Sequence, residues 1–294
     1  MITVEEAFEK FRQRLELSET EKQDAIRRHN DVRECIRAGF DIERDFLTGS
    51  YARHTKTKPL KDVDIFFCLG EKDRHWRGKP PAEVLNAFEK CLAEKYDADN
   101  VEPGRRCVTV EFEKRNPTAD EEGKVLSNDA VPAYELEDCY EIPDRDLGKW
   151  IKTDPDIHKE KSTAKNKDCG GKWVPLVKML KRWNRSADKP IAPSFLIEVM
   201  ALDLVDPPFT TYPGEVRRFF AAALSGIMKD WPDPAGFGPP VSDQMTADKR
   251  AKAAEALRAA EVKATRAVRL EQQGKTGEAL ALWREIMGKY FPTS

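Results

Sequence analysis

Histidine is scarce and cysteine is unpaired in this chain of 294 residues, which carries four His and six Cys with no C-x-x-C pair among them. A structural zinc site needs clustered thiolates and imidazoles, and a disulfide framework belongs to short secreted chains. The six thiols (Cys35, Cys68, Cys91, Cys107, Cys139 and Cys169) therefore read as reduced and mostly structural. No apolar run approaches the roughly 18–20 residues that a membrane helix needs. The opening Met1-Ile2-Thr3-Val4-Glu5-Glu6 is acidic where a signal peptide is basic and then apolar. The expected location is the cytoplasm, with no membrane partner. An excess of charge of one sign is missing too. Fifty Lys and Arg stand against 52 Asp and Glu, for a formal charge of −2. No global basic field recruits nucleic acid, although a local basic groove remains compatible with that sum.

What is present is a globular composition, 40% hydrophobic and 35% charged. A chain of this length predicts one large domain or two apposed lobes with a real core. The periodicity divides them. Residues 3–38 read as helix, broken near Leu17 and restarted by a capping box in which Ser18 precedes Glu21 by three. From Asp41 the pattern turns to short strands: Asp45 to Thr48, Asp62 to Cys68, Cys107 to Phe112 and Lys124 to Val131. One amphipathic helix, Ala82 to Tyr96, interrupts them. After about Asp144 helical patterns take over at Trp173–Arg185, Pro193–Leu204 and Glu215–Met228. A Pro/Gly-rich connector from Trp231 to Pro240 then leads to a long helix, Thr246 to Gln273, and a last one, Thr276 to Met287. The last two read as a hairpin packed on the helical lobe. The expected fold is α+β: residues 1–145 form a lobe with a small mixed sheet, and residues 146–294 form an all-helical lobe packed against it.

The most informative stretch is Phe46-Leu47-Thr48-Gly49-Ser50-Tyr51, with eleven residues between Ser50 and Asp62-Val63-Asp64. Alternate side chains of a strand share a face, so Asp62 and Asp64 project together with Val63 behind them. Two carboxylates pointing the same way repel unless a cation lies between them, and oxygen-only ligands suit Mg²⁺, which keeps waters and takes substrate phosphate oxygens. Gly49 permits close backbone approach, and the Ser50 hydroxyl and free amides beside it can hold a polyphosphate. Joined at this spacing, the two motifs describe a metal-dependent nucleotide site.

The order and gap resemble the signature of the DNA-polymerase-β-like nucleotidyltransferase superfamily, and the resemblance implies its fold and two-metal mechanism. That superfamily uses a third carboxylate from a neighbouring strand, for which Glu111 and Asp129 are both placed. Asp129-Ala130-Val131-Pro132 is similar to the Asp-x-Val-Pro segment of the branch that holds animal cyclic-GMP-AMP synthase, oligoadenylate synthetase and their bacterial relatives, and so Asp129 is chosen. In the same branch a basic helix and a Ser-led helix follow. Leu176 to Asn184 resembles the first and Pro193 to Glu198 the second, which implies that Lys178, Lys181 and Ser194 contact the donor triphosphate.

The tail from Asp233 to Pro292 resembles that of bacterial CD-NTases, the oligonucleotide cyclases of CBASS operons, and no zinc-binding insertion interrupts the chain. The resemblance implies that Asp62 and Asp64 hold two Mg²⁺ ions, or Mn²⁺ in their place, with Asp129 binding the ion that activates an acceptor ribose hydroxyl. The phosphates would rest on Gly49, Ser50, Lys181 and Ser194. ATP is the expected first substrate, the product a cyclic di- or trinucleotide second messenger for anti-phage defence, and a HORMA-type or other activating protein a candidate partner, since some members of the family are switched on by a HORMA-type protein while others are constitutively active. Two alternatives stand beside it: a terminal nucleotidyltransferase acting on RNA or a small acceptor, and a non-catalytic nucleotide-binding partner. Asn166, Tyr134 and Tyr212 are candidates for reading or stacking on a base, with ordinary packing as their simpler role.

Overall fold

The computed structural model describes residues 2–58, 60–112 and 127–294. The chain separates into two compact units, one formed by Leu17–His158 and the other by Met1–Glu16 together with Lys159–Ser294. The expected division at residue 145 differs at both ends: the first helix joins the helical unit, and strand pairing carries the sheet unit on past residue 145. Helix α1 (Val4–Arg14) opens on a Thr3–Glu6 capping box and buries Val4, Ala7, Phe8 and Phe11. Those side chains belong to the core of the helical unit, where Phe8 meets Trp283 and Phe291 edge-on, each at 5.0 Å between ring centroids. Helix α2 (Glu19–Gly39) restarts at the expected capping box, the Ser18 amide donating to Glu21 Oε2 at 2.7 Å. The break near Leu17 is thus the point where the chain passes from one unit to the other.

In the unit Leu17–His158, α2 leads to β1 (Ile42–Leu47), a single helical turn α3 (Gly49–Ala52) and β2 (Asp62–Leu69). Helix α4 (Pro81–Ala93) covers the sheet, followed by β3 (Val101–Pro103), β4 (Val108–Glu111), β5 (Ser127–Glu135), β6 (Tyr140–Asp144) and β7 (Lys149–Thr153). The strands form one mixed sheet in the order β1-β2-β5-β4-β3, with β6 bridging β5 to β7. Strands β2 and β5 run parallel, whereas β1 and β4 flank them antiparallel. Alternation decides the faces. Val63 is fully buried, and Ile65, Phe67, Val108, Val110 and Ala130 pack with Val32 and Ile36 of α2 and Val84, Leu85 and Phe88 of α4. The residues between them in sequence face the other way.

Strand β5 continues to Glu135, and the start of the expected run from Lys124 lies outside the described residues. Strands β3, β6 and β7 are short and were not anticipated. Neither was helix α5 (Pro155–Asp168), whose polar sequence shows no apolar stripe at helical spacing. Its start signal is local: Asp154 Oδ1 accepts from the amides of Asp156 (2.9 Å) and Ile157 (3.1 Å), with Pro155 at the first helical position.

The remaining helices are α6 (Trp173–Ser186), α7 (Phe195–Leu204), α8 (Tyr212–Gly226), α9 (Ala247–Gln272) and α10 (Thr276–Met287). Together with α1 they enclose one core that includes Trp173, Leu176, Leu180, Phe219, Leu257 and Trp283. Alanines 253, 260, 264 and 267 give α9 a small-residue face on that core. No described helix is long and apolar enough to cross a membrane.

Candidate active site

The site is built where β1 ends. Thr48 leaves the strand with its amide donating to the Asp64 carbonyl at 2.9 Å, which ties the turn to β2. Gly49 follows at φ +63°, and a Cβ there would fall 1.7 Å from Asp64 Oδ2. Only glycine satisfies both the backbone conformation and that approach. The segment after α3 folds back on Ser50, whose carbonyl accepts from the amides of Thr55 (3.0 Å) and Lys56 (3.1 Å). The Lys56 ammonium also lies 3.3 Å from the centroid of the Tyr51 ring.

Strand register then assembles the carboxylates. Parallel pairing of β2 with β5 sets Asp62 beside Ser127 and Asp64 beside Asp129, and antiparallel pairing of β4 sets Thr109 beside Asp129. Since alternate residues share a face, Asp62, Asp64 and Asp129 occupy the side opposite the Val63 core. Glu111, the other candidate for the third carboxylate, lies two pairs further along, opposite Ser127.

The electrostatics match this crowding. Asp129 is pushed up to about 6, first by burial and then by the charge of Asp62. Hydrogen bonds from Thr109 and Cys107 act in the opposite direction. The Thr109 hydroxyl donates to Asp129 Oδ1 at 2.7 Å. Burial pushes the Cys107 thiol well above its usual range, and the charges of Asp129, Asp64 and Asp62 add to the effect. That thiol stays protonated and is not a nucleophile.

Carboxylates sharing one face, one of them raised mainly by burial and further by a neighbouring carboxylate, have the chemistry of a site for a hard divalent cation. Among the described residues no group of three or more His, Cys, Asp or Glu side chains is arranged to hold a metal ion as it stands.

In the helical unit the basic candidates already have partners. The Lys178 ammonium lies 2.7 Å from Glu16 Oε1 and that of Lys181 lies 2.6 Å from Glu198 Oε1. The second pair is almost completely buried, the side chains being 5% and 1% exposed. Ser194 precedes α7, is exposed, and caps none of its amides. The base-reading candidates serve the fold. Asn166 lies within α5 and accepts from the Val174 amide at 2.9 Å, capping α6. Tyr134 donates to the Asp73 carbonyl at 2.7 Å, and Tyr212 is partly buried against Phe209.

Thr109 and Cys107 were absent from the sequence-based set. Their signal was available only in part: Cys107, Thr109 and Glu111 alternate on one face of a strand, but nothing in the sequence pairs that strand with Asp129.

Comparison with known proteins identifies the family. Residues 1–166 match the family model of the SMODS domain, the Second Messenger Oligonucleotide or Dinucleotide Synthetase domain. The chain is 27% identical to a cyclic AMP-AMP-AMP synthase of an Acinetobacter strain, across all of this chain and 87% of that protein. It is 24% identical to a cyclic UMP-AMP synthase of Rhodothermus marinus, across 67% of this chain and 76% of that one. The fold is also that of E. coli CdnC. The structure of CdnC with ATP superposes with a TM-score of 0.72 at 18% identity over 99% of both chains, and that of its complex with HORMA-deltaN with 0.70 at 19% over 98% of both. The SMODS model spans more than half of the sequence and includes Asp62, Asp64 and Asp129, so the chain belongs to the SMODS family and, within it, to the nucleotidyltransferases known as bacterial CD-NTases.

Proposed function

We propose that this protein joins nucleoside triphosphates, ATP first among them, into a cyclic di- or trinucleotide second messenger in CBASS-type anti-phage defence. The observation that carries the reading is the β2–β5 register, which sets Asp64 beside Asp129 directly behind Gly49. In each round a ribose hydroxyl oxygen forms a bond to the α-phosphorus of a nucleotide, the bond to the β-phosphate bridge breaks, and pyrophosphate leaves. The last such step, the second for a dinucleotide and the third for a trinucleotide, takes place within the linear product and closes the ring.

Asp62, Asp64 and Asp129 are the residues to hold two Mg²⁺ ions. Divalent cations bound there supply charge neutralisation at the attacking and leaving oxygens. Gly49 lets the phosphates approach the backbone and Ser50 offers its hydroxyl to them. Lys178, Lys181 and Ser194 are assigned to the donor triphosphate, and for the two lysines this requires their carboxylate partners to share them. Most of the catalytic gain on this reading comes from positioning and fixed charge.

The named relatives make products of different base content, one of three adenosines and one of uridine and adenosine. ATP is their shared component and the assigned substrate here. A HORMA-type protein is the proposed activator, by analogy with the CdnC complex.

Mass spectrometry of the products formed from all four nucleoside triphosphates with Mg²⁺ or Mn²⁺, with and without a HORMA-type protein, tests the reading. A phosphatase-resistant cyclic oligonucleotide containing AMP is expected. Label transferred only to added RNA would instead identify a terminal nucleotidyltransferase, and tight nucleotide binding without pyrophosphate release a non-catalytic partner.

A further inference from the structure

Asp129 differs from the other two carboxylates in how it is held. It is half-buried at the centre of the sheet, flanked by β2 on one side and β4 on the other. Its neighbour across β4 is Thr109, and the ladder from Val108–Ala130 to Glu111–Ser127 fixes that pairing along its whole length. The Thr109 hydroxyl sits 2.7 Å from Asp129 Oδ1. Threonine is β-branched and stiff at its first side-chain torsion, so a hydroxyl placed by the ladder stays placed. Cys107, two residues earlier on the same face, adds a weaker donor toward the same carboxylate.

We propose that Thr109 is a positioning residue of the metal site. Its hydroxyl takes one oxygen of Asp129 and orients the carboxylate so that the group can join Asp62 and Asp64 around a divalent cation. This rests on the reading of Asp129 as a metal ligand. Preorganisation of this kind is what metal sites draw from the groups behind their ligands: the outer partner fixes the ligand's torsion, and the ion then binds without reorganising it. A hydrogen bond to an ionised acceptor is also about twice as strong as a neutral one. Thr109 makes this contact from a neighbouring strand, so its role is set by register rather than by proximity in sequence.

The test is Mn²⁺ binding to the full-length protein, followed by electron paramagnetic resonance, in Thr109→Val, Thr109→Ser and Asp129→Asn. Valine keeps the shape and β-propensity of threonine and removes the hydroxyl, whereas serine keeps the hydroxyl. Thr109→Val is expected to weaken Mn²⁺ binding about tenfold, and Thr109→Ser to bind within about twofold of the parent, with thermal midpoints close together. Wild-type Mn²⁺ affinity in Thr109→Val, or a serine variant as weak as the valine one, overturns the proposal. Asp129→Asn separates the two layers of the argument. If it binds Mn²⁺ like the parent, the three-carboxylate reading itself falls; if it loses binding while Thr109→Val does not, only the role of Thr109 falls.

Discussion

The two units handle charge in opposite ways. In the sheet unit, Asp62, Asp64 and Asp129 are brought together by register, and Asp129 is pushed up to about 6 by burial and by the charge of Asp62. In the helical unit, Lys178 and Lys181 stand one turn apart on α6 and each is matched with a carboxylate, Glu16 and Glu198. Like charges held together at a cost to the fold mark a site that expects a ligand. Opposite charges paired inside a core are in the first instance part of that core's structure, whatever further contacts they make. The same chain thus shows a cluster of like charges and a set of matched opposite charges, and the like-charged cluster is where the chemistry is expected.

Mutations that break this contrast are ordered by expected effect. Asp62→Asn and Asp129→Asn should each lower product formation by about 10³-fold or more, the scale of several kcal/mol of charge stabilisation, while circular dichroism stays unchanged. Glu198→Ala leaves the Lys181 ammonium buried without its carboxylate. It should cost about 3–5 kcal/mol of stability, read from urea denaturation, because one partner of a buried ion pair has been removed. Gly49→Ala places a methyl group against Asp64 and strains a left-handed residue. A displacement of about 1 Å at a reacting centre costs on the order of 10²-fold, so turnover should drop by that amount with little change in nucleotide affinity.

The smallest effect is one of pH. A carboxyl group whose folded-state value lies above its unfolded one favours the protonated form in the fold. The metal-free protein should therefore lose stability as pH rises from about 4 through about 6. Thermal melts in EDTA should show that loss, and excess Mg²⁺ should reverse it above pH 6 by favouring the ionised carboxylate.

How far the sequence carried the account depended on whether the pattern was local. Asp62 and Asp64 were legible because strand alternation is a two-residue rule, and Gly49-Ser50 because the turn stands a fixed distance ahead of them. The third carboxylate was chosen by the Asp-x-Val-Pro resemblance, because strand pattern alone left Glu111 and Asp129 both open; in the fold, the pairing of β5 with β2 sets Asp129 beside Asp64. The contact from Thr109 was hidden for the same reason. The ion pairs of α6 were hidden by distance in sequence, since Glu16 lies 162 residues from Lys178. Helix α5 has a start signal at Asp154-Pro155 but no apolar stripe, and the handover of α1 to the helical unit depends on aromatic contacts with Trp283 and Phe291 that periodicity does not reveal.

The most direct test of the central claim is product formation by Asp64→Ala with ATP and Mg²⁺, measured as pyrophosphate release and by mass spectrometry beside the parent protein. The account predicts a folded protein that releases no pyrophosphate and makes no cyclic oligonucleotide. Appreciable Mg²⁺-dependent product from that variant would contradict it.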